Sequence, residues 1–450
     1  MNGVAAAWVQ RLRDLSNGDG LRAHIARATG AAVILKILSF ILGLATTVIL
    51  ARALGPDSLG VYAFALAVVT IVGMPASAGV PQLVTRETAK GQGSGLWGMT
   101  KGVWRWATRL VLLVSAVILL IAAGLGLLFP GYLRTESGTT LAIGLLMVPF
   151  MGLALVRASS LRGLGYTVQG QLPELAIKPL VFLALLLIFL LLSNGRLSAP
   201  HAMTLNIVAT FAAFIVGALL LQRARPPGLA NATPAYESRA WLATILPMAS
   251  INAMHLINTQ ADILLIGIFM ENADVGQYKV AAQISLVVAF GLQATKMIVE
   301  PHFARLYSQG NYSKLEKLAR GASRFNITIA LFVFSPLVLF GADLLHIAFG
   351  AAFVGAFLPM LILSAGRLAG SSLGTAGSIL VMAGYHREYS RFWMIAVVLN
   401  VGLNLVLIPT LGLIGAAIAT AFTLLIPYYL GWWGAKKWLG VDCFPFATRK

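Results

Sequence analysis

Long apolar runs separated by short polar breaks extend from about residue 28 to residue 433. The first run, 28–51, has 24 residues and contains one charged residue, Lys36. A helix needs about 20 apolar residues to cross the hydrocarbon core of a bilayer. In lipid, helices are the structure that satisfies the backbone hydrogen bonds of such runs. The pattern therefore predicts an all-α integral membrane protein.

The order of runs and breaks in the first half recurs about 216 residues later. A Gly-Val-Tyr motif at 60–62 opens the second run, and a Gly-Gln-Tyr motif at 276–278 opens its counterpart. A second pair of anchors, Gly-Tyr at 165–166 and at 384–385, is offset by 219 residues. Two anchors with nearly equal offsets indicate an internal duplication.

Basic residues are concentrated in every second break of this pattern. With a cytoplasmic amino terminus, 26 Lys and Arg residues fall on the inner side and four fall inside spans. The outer loops hold three: Arg52, Arg134 and Arg196. Cytoplasmic loops of membrane proteins carry such an excess. Since a miscounted helix would destroy the alternation, we expect 12 transmembrane helices with both termini in the cytoplasm.

This topology divides the chain into five parts. They are a cytoplasmic N-terminal segment at 1–27, a first six-helix bundle at 28–222, a cytoplasmic linker at 223–240, a second six-helix bundle at 241–433 and a cytoplasmic tail at 434–450. Because six is even, both bundles enter the membrane in the same orientation. A pseudo-twofold axis along the membrane normal and a central cavity follow, which is transporter architecture.

Composition excludes several other classes of protein. The chain is 58% hydrophobic and 11% charged, and its net charge is +18. The charges lie between spans, so we expect no nucleic-acid partner. A single cysteine, Cys443, excludes an internal disulfide. We find no phosphate loop, dinucleotide fingerprint, zinc spacing or nucleophile elbow, so we expect neither an enzyme nor a resident cofactor or metal.

Polar residues inside the predicted spans mark candidate substrate-binding positions. Asn252, His255 and Asp262 share one face of the seventh span. Lys36 of the first span is related to Asn252 by the offset of 216, so each repeat presents a polar stripe at an equivalent place. Hydrogen bonds between helices are the alternative explanation. For Lys36 and Asp262 we favour a hydrated cavity.

Two further cations are candidates for the same cavity. Arg367 lies near the middle of the tenth span beside a ladder of small residues, with no carboxylate within a helical turn. We expect it to face the cavity, where a guanidinium can bind phosphate through two hydrogen bonds. The alternative is a salt bridge to Asp262 or Asp343. Lys178 is the second candidate, although Glu174, four residues earlier, could instead pair with it.

For three other basic residues, a structural role near a membrane face is favoured over substrate binding. Lys279 lies near the outer end of the eighth span, where we expect it to extend towards the interface. Arg157 and Lys296 lie close to the predicted inner face of the membrane.

The segment 50–62, LARALGPDSLGVY, resembles the start of Wzx-like polysaccharide flippases. These are oligosaccharide flippases of the multidrug/oligosaccharidyl-lipid/polysaccharide exporter superfamily. The late segment 400–417, with Asn400, Asn404 and Gly412, looks like the last two spans of that family. The resemblance covers 28–439. It implies a MATE-like fold with two six-helix bundles, a V-shaped central cavity and alternating access.

The resemblance also implies a substrate and a place of action. It implies transport of undecaprenyl-pyrophosphate-linked oligosaccharide from the inner to the outer leaflet of the bacterial inner membrane, for surface polysaccharides such as O-antigen of lipopolysaccharide or exopolysaccharide. Membrane lipids, a polysaccharide polymerase and glycosyltransferases would be its partners. The membrane potential would favour outward movement of an anion by about 2.3 kcal/mol per charge per 100 mV. Asp262 could add coupling to H⁺ or Na⁺.

Three alternatives remain open from the sequence. A drug/cation antiporter of the same superfamily would favour carboxylates in the cavity, whereas this chain has more cationic candidates. The lipid II flippase branch typically has two further carboxy-terminal spans, and this chain ends soon after Trp433. A non-transporting scaffold for polysaccharide synthesis enzymes is the third.

Overall fold

The computed structural model describes residues 21–77 and 79–446, in which all regular secondary structure is helical. Residues 1–20 of the predicted N-terminal segment and 447–450 of the predicted tail lie outside these ranges. In chain order the α-helices are α1 Leu21–Val72, α2 Met74–Ser77, α3 Val80–Ser94, α4 Trp97–Leu128, α5 Pro130–Leu133, α6 Glu136–Leu145, α7 Val148–Gly163, α8 Thr167–Leu172, α9 Lys178–Leu192, α10 Ala199–Ala224, α11 Pro227–Asn231, α12 Ser238–Phe269, α13 Asn272–Ser308, α14 Tyr312–Phe349, α15 Phe357–Met382 and α16 His386–Leu439. A π turn, Pro173–Ile177, joins α8 to α9, and a 3₁₀ turn, Ala351–Ala356, precedes α15.

Nine helical stretches of the described chain are long and apolar enough to cross a membrane, and Leu256–Phe269 in α12 is a shorter apolar helix. The chain is therefore a multi-pass membrane protein. Two of the long helices are interrupted by glycine. Gly55 in α1 has φ 71° and ψ 176°, and Gly412 in α16 has φ 60° and ψ −137°. Glycine adopts such positive φ angles at little cost, so each of these helices consists of two segments that meet at a break.

Helices α1 and α13 meet at the level of their backbones. A Cβ atom on Gly60 would lie 1.7 Å from the carbonyl oxygen of Asn272, and one on Gly276 would lie 2.0 Å from that of Pro56. The offset of 216 relates Gly60 to Gly276 and also Pro56 to Asn272. The two contacts are thus reciprocal, as in a twofold-symmetric interface. We call these four residues the glycine crossing.

The two halves of the chain share one apolar core around the glycine crossing. Tyr62 of the first half and Ile263, Tyr278 and Ile408 of the second half belong to the same buried cluster. Farther from the crossing, a cluster around Phe303 contains residues of the later part of the chain alone, and a cluster around Trp104 adds Trp241 and Ile245 to residues of the first half. The halves therefore share buried apolar residues at the crossing and again at the start of the second half.

A polar contact between the halves lies close to the same place. The exposed Arg52 of α1 donates from Nε to the carbonyl oxygen of Ala348, at 2.8 Å, and from Nη2 to that of Ile347. Both acceptors lie in the last turn of α14, where helical carbonyls lack partners in the helix and carry partial negative charge. Arg52 therefore caps a helix of the other half.

Helix α12 begins against the first half. Its buried Trp241 packs against Trp106 of α4, with ring centroids 5.5 Å apart. Its later part contacts α13 and α16. This helix therefore links the two halves along its length.

We expect Gly60→Ala to destabilise the protein strongly, because the added methyl group meets a carbonyl of α13 that cannot move away alone. The unfolding free energy should fall by about 3 kcal/mol, the upper end of typical overpacking costs. Thermal unfolding of the purified protein in one detergent measures the change. Gly402→Ala is the matched control, since no atom lies within 4 Å of its added Cβ. Equal midpoints for the two variants would contradict close backbone contact at the crossing.

Candidate functional site

A first central cavity, of about 350 Å³, lies between α1, the α8–α9 segment and α13. Ser39, Gly43 and Thr46 line it from one face of α1. Lys178 and Glu174 line it from the α8–α9 segment.

The expected ion pair between Glu174 and Lys178 is not among the ion pairs of the described residues. Pro173–Ile177 forms a π turn, and its wider winding moves residues four apart out of register. Both side chains instead contribute to the wall of the cavity.

A second central cavity, of about 690 Å³, lies between α12, α13, α15 and α16. Asp262 of α12, Arg367 of α15 and Tyr428 of α16 are among its lining residues. The predicted candidates Asp262 and Arg367 therefore lie around one space.

One face of α13 contributes a row of polar residues to this second cavity. Lys279, Gln283, Gln293, Lys296 and Glu300 all line it, and their spacing follows the helical repeat. Lys279 and Gln283 also line the first cavity, so the two cavities adjoin at α13.

Sequence reasoning missed two of these residues. The sequence analysis gave Lys279 and Lys296 only a position along their span; the structure shows that Lys279 lines both central cavities and Lys296 lines the second. The signal that could have found them is the polar stripe on α13, which has the same period as the stripe on the first span.

Arg367 is held by a neutral partner. Its Nε donates to Ser285 Oγ at 2.9 Å. In the described part of the chain it forms no ion pair with Asp262 or Asp343, the two alternatives raised from the sequence. The guanidinium is half-buried, and its charge is not neutralised by a salt bridge. Such a group suits an anionic ligand.

Asp262 is buried at the centre of a hydrogen-bonded cluster. Its Oδ2 accepts from Tyr278 Oη at 2.7 Å and from Thr420 Oγ1 at 2.6 Å, and its Oδ1 accepts from Asn404 Nδ2 at 2.9 Å. Asn400 Nδ2 in turn donates to Thr420 Oγ1 at 3.0 Å. Three donors from α13 and α16 therefore stabilise the carboxylate.

The side-chain oxygens of Asn400 and Asn404 are buried and have no hydrogen-bond partner among the described residues. Buried carbonyl oxygens are usually satisfied by a donor, a water or an ion. Each of these two oxygens could accept from a further donor or contact a cation.

The first half has a neutral counterpart of this cluster. The offset of 216 relates Thr46 to Asp262 and Tyr62 to Tyr278. Tyr62 Oη accepts from Asn206 Nδ2 at 2.7 Å, and Thr46 Oγ1 has no partner among the described residues. Tyrosine occupies the equivalent position in both halves, whereas the position of the Asp262 carboxylate is occupied by Thr46 in the first half.

The remaining candidates lie elsewhere or are not described. Lys36 is exposed on α1, one turn before Ser39, and is not among the residues lining either central cavity. The backbone of Asn252 and His255 belongs to α12, but their side chains lie outside the described part of the structure. For these three residues a role in binding stays a prediction.

A comparison with protein families assigns this chain to a family. The family model described as "Polysaccharide biosynthesis protein" matches residues 25–307, more than half of the chain. The chain belongs to this family. The resemblance seen in the sequence to polysaccharide flippases is thereby confirmed.

A curated relative of this polysaccharide biosynthesis protein is described as a flippase. It is the probable low-salt glycan biosynthesis flippase Agl15 of Haloferax volcanii, 26% identical over 162 residues. The match covers 36% of this chain and spans about a third of the relative, 34%.

Solved structures share the fold. An inward-facing multidrug resistance MATE family transporter has a TM-score of 0.73 at 16% identity, covering 91% of this chain and 98% of the other. The lipid II flippase MurJ, in an inward closed conformation, has a TM-score of 0.69 at 14% identity, with coverages of 90% and 87%. An outward-facing MATE transporter has a TM-score of 0.64 at 16% identity, with coverages of 92% and 96%. The fold is MATE-like. The match to the polysaccharide biosynthesis family and the flippase relative agree with the expectation of a non-enzyme.

We expect Tyr278→Phe to be more destabilising than Tyr62→Phe, although the two residues are related by the internal repeat. Tyr278 donates to a carboxylate, and such hydrogen bonds contribute about 1.5–3 kcal/mol. Tyr62 accepts from an amide, for which about 0.5–1.5 kcal/mol is typical. Unfolding of both purified variants under the same conditions measures the difference. Equal losses would show that the Asp262 carboxylate gives its cluster no added stability.

Proposed function

We propose that this protein is a flippase for lipid-linked oligosaccharide. It would move an undecaprenyl-pyrophosphate-linked sugar unit from the inner to the outer leaflet of the bacterial inner membrane for surface polysaccharide assembly. The observation that carries the proposal is a central cavity lined by Arg367, which forms no ion pair with any described residue, in a chain of the polysaccharide biosynthesis family.

The proposed topology has twelve spans in two six-helix bundles. The glycine breaks in α1 and α16 each divide one long helix into two spans, and α12 adds another, which takes the nine candidate stretches to twelve. The reciprocal contacts at the glycine crossing support a pseudo-twofold relation between 28–222 and 241–433. The excess of basic residues in alternate loops supports cytoplasmic termini.

The chemistry of the cavity suits a lipid-linked pyrophosphate. Across the two adjoining cavities the cations are Lys178, Lys279, Lys296 and Arg367, and the carboxylates are those of Glu174, Asp262 and Glu300. The carboxylate of Asp262 is enclosed by donors, and that of Glu300 accepts from Ser378 at 2.7 Å. Arg367 and Lys279 would receive the phosphates, while the lipid tail would stay in the bilayer.

Substitutions in this cavity distinguish the flippase from two alternatives, an antiporter and a scaffold. A drug/cation antiporter would use its carboxylates to bind a cationic substrate, and loss of Arg367 would then leave transport intact. A scaffold for polymerase or glycosyltransferase enzymes would tolerate every cavity substitution that leaves the protein in the membrane.

We expect Arg367→Ala and Lys279→Ala to lower surface polysaccharide at least tenfold. A charge-assisted hydrogen bond to phosphate contributes about 1.5–3 kcal/mol, and 1.4 kcal/mol is a factor of ten. The measurement is surface polysaccharide per cell, with membrane abundance determined alongside. Arg196→Ala, which removes an exposed cation outside both cavities, should export normally.

Lys36→Ala belongs in the same experiment as a test of the sequence-based hypothesis for that residue. Normal export by Arg367→Ala and Lys279→Ala at normal abundance would exclude an anion-binding cavity and favour the scaffold. Export lost equally in Arg196→Ala would point to a general effect of charge.

We also propose that Asp262, Asn400 and Asn404 form the site for coupling to Na⁺ or H⁺. Asp262→Asn keeps the shape of the side chain and removes its charge. In proteoliposomes, its transport rate should fall and lose its dependence on an imposed Na⁺ or pH gradient. Asp343→Asn, an exposed carboxylate on α14, is the control and should keep the gradient dependence. Transport by Asp262→Asn that still follows the gradient would exclude coupling at this carboxylate.

A further inference from the structure

A third cavity, of about 770 Å³, lies in the first half between α4, α7, α10 and α11. It shares no lining residue with the two central cavities. In the described chain its lining contains no carboxylate, and five cations surround it: Lys101, Arg105, Arg109, Arg157 and Arg225. We call it the basic cavity.

Three of these cations are aligned along α4. Lys101, Arg105 and Arg109 follow at intervals of four residues, a spacing at which like charges on a helix repel each other. Lys101 Nζ is satisfied by the carbonyl oxygens of Ala230 at 2.7 Å and Ala232 at 2.9 Å. Arg105 and Arg109 are exposed and take part in no ion pair of the described chain. A bound anion would relieve this repulsion.

Arg157 forms the inner wall of the basic cavity in a fixed orientation. Its guanidinium lies 3.4 Å from the centroid of the Phe214 ring, and its Nη1 donates to the Phe214 carbonyl oxygen at 3.0 Å. The side chain is half-buried. Stacking and one hydrogen bond hold the plane of the guanidinium, which is the preorganisation that planar recognition of phosphate uses.

In the second half, α14 occupies the position of α4, since the offset of 216 relates residue 97 to residue 313, and cations of α14 are bound by the chain itself. On α14, Arg320 pairs with Glu316 and donates to the carbonyl oxygen of Asp442 at 2.9 Å. Arg324 donates to the carbonyl oxygen of Pro445 at 2.7 Å. The segment after α16 thus satisfies these cations. In the first half, the linker after α10 satisfies Lys101 and leaves the rest of the cluster around an open space.

We propose that the basic cavity binds the phosphate group of an anionic ligand, either the headgroup of a phospholipid or a free pyrophosphate. Basic pockets between membrane helices suit such groups, because several cations share one phosphate and apolar walls exclude water. Val156, Leu221 and Leu229 form those walls here. This site is separate from the proposed transport cavity and does not depend on the transport proposal.

Native mass spectrometry of the full-length protein in a neutral detergent tests the site. The probes are dioleoyl phosphatidylglycerol, dioleoyl phosphatidylcholine and inorganic pyrophosphate. The test variant is Arg105→Gln/Arg109→Gln, and the matched control is Lys314→Gln/Lys317→Gln, which removes two exposed cations from α14. Thermal unfolding of both variants checks that they are folded. Arg225→Gln, outside the helices, serves as a second variant.

We expect wild type to bind phosphatidylglycerol at least fivefold more tightly than phosphatidylcholine, and the test variant to lose this preference while the control keeps it. That result supports the site with a lipid as the source of the phosphate. Loss of pyrophosphate binding in the test variant, with phosphatidylglycerol unaffected, supports the site with a soluble source. Unchanged binding of both probes, or equal losses in the test and control variants, would overturn the proposal.

Discussion

The centre of this molecule depends on the contact of two backbones at the glycine crossing. A side chain on Gly60 or Gly276 would occupy the position of a carbonyl oxygen of the other helix. Because α1 and α13 approach this closely, Tyr62 and Tyr278, two residues farther on, are buried in one core. Lys279 and Gln283 follow within two turns of Gly276 and line both central cavities. The position of the candidate site is therefore a consequence of the crossing.

Much of the fold could be predicted because its signals are periodic along the chain. The apolar runs predicted the spans. The offset of 216 pairs Gly60 with Gly276 and Pro56 with Asn272, and the structure joins these residues by reciprocal contacts. The site was less accessible to prediction. The partners of Asp262 on α16 lie 142 and 158 residues away, and no local pattern connects them. Lys279 was missed for a different reason, since its depth in the span was considered and the face of its helix was not.

The two halves share a frame and differ in chemistry. The tyrosine pair, Tyr62 and Tyr278, has hydrogen-bond partners of different charge, an amide in the first half and a carboxylate in the second. The basic residues of α4 and α14 also differ in their partners. Arg320 and Arg324 of α14 donate hydrogen bonds to the chain segment after α16, whereas Arg105 and Arg109 of α4 line the basic cavity. A duplicated backbone thus offers equivalent positions at which a charge can be kept in one copy and removed from the other.

The contact made by Arg52 has a property that follows from its acceptors. Its guanidinium is bound to two backbone carbonyl oxygens at the end of α14. Every residue type carries a backbone carbonyl group, so these acceptors do not depend on the side chains at positions 347 and 348. A substitution of Ile347 or Ala348 therefore leaves both acceptors of this contact between the halves in place, in contrast to a contact made to a carboxylate side chain. Separation of the two halves at this end requires both hydrogen bonds of the guanidinium to break.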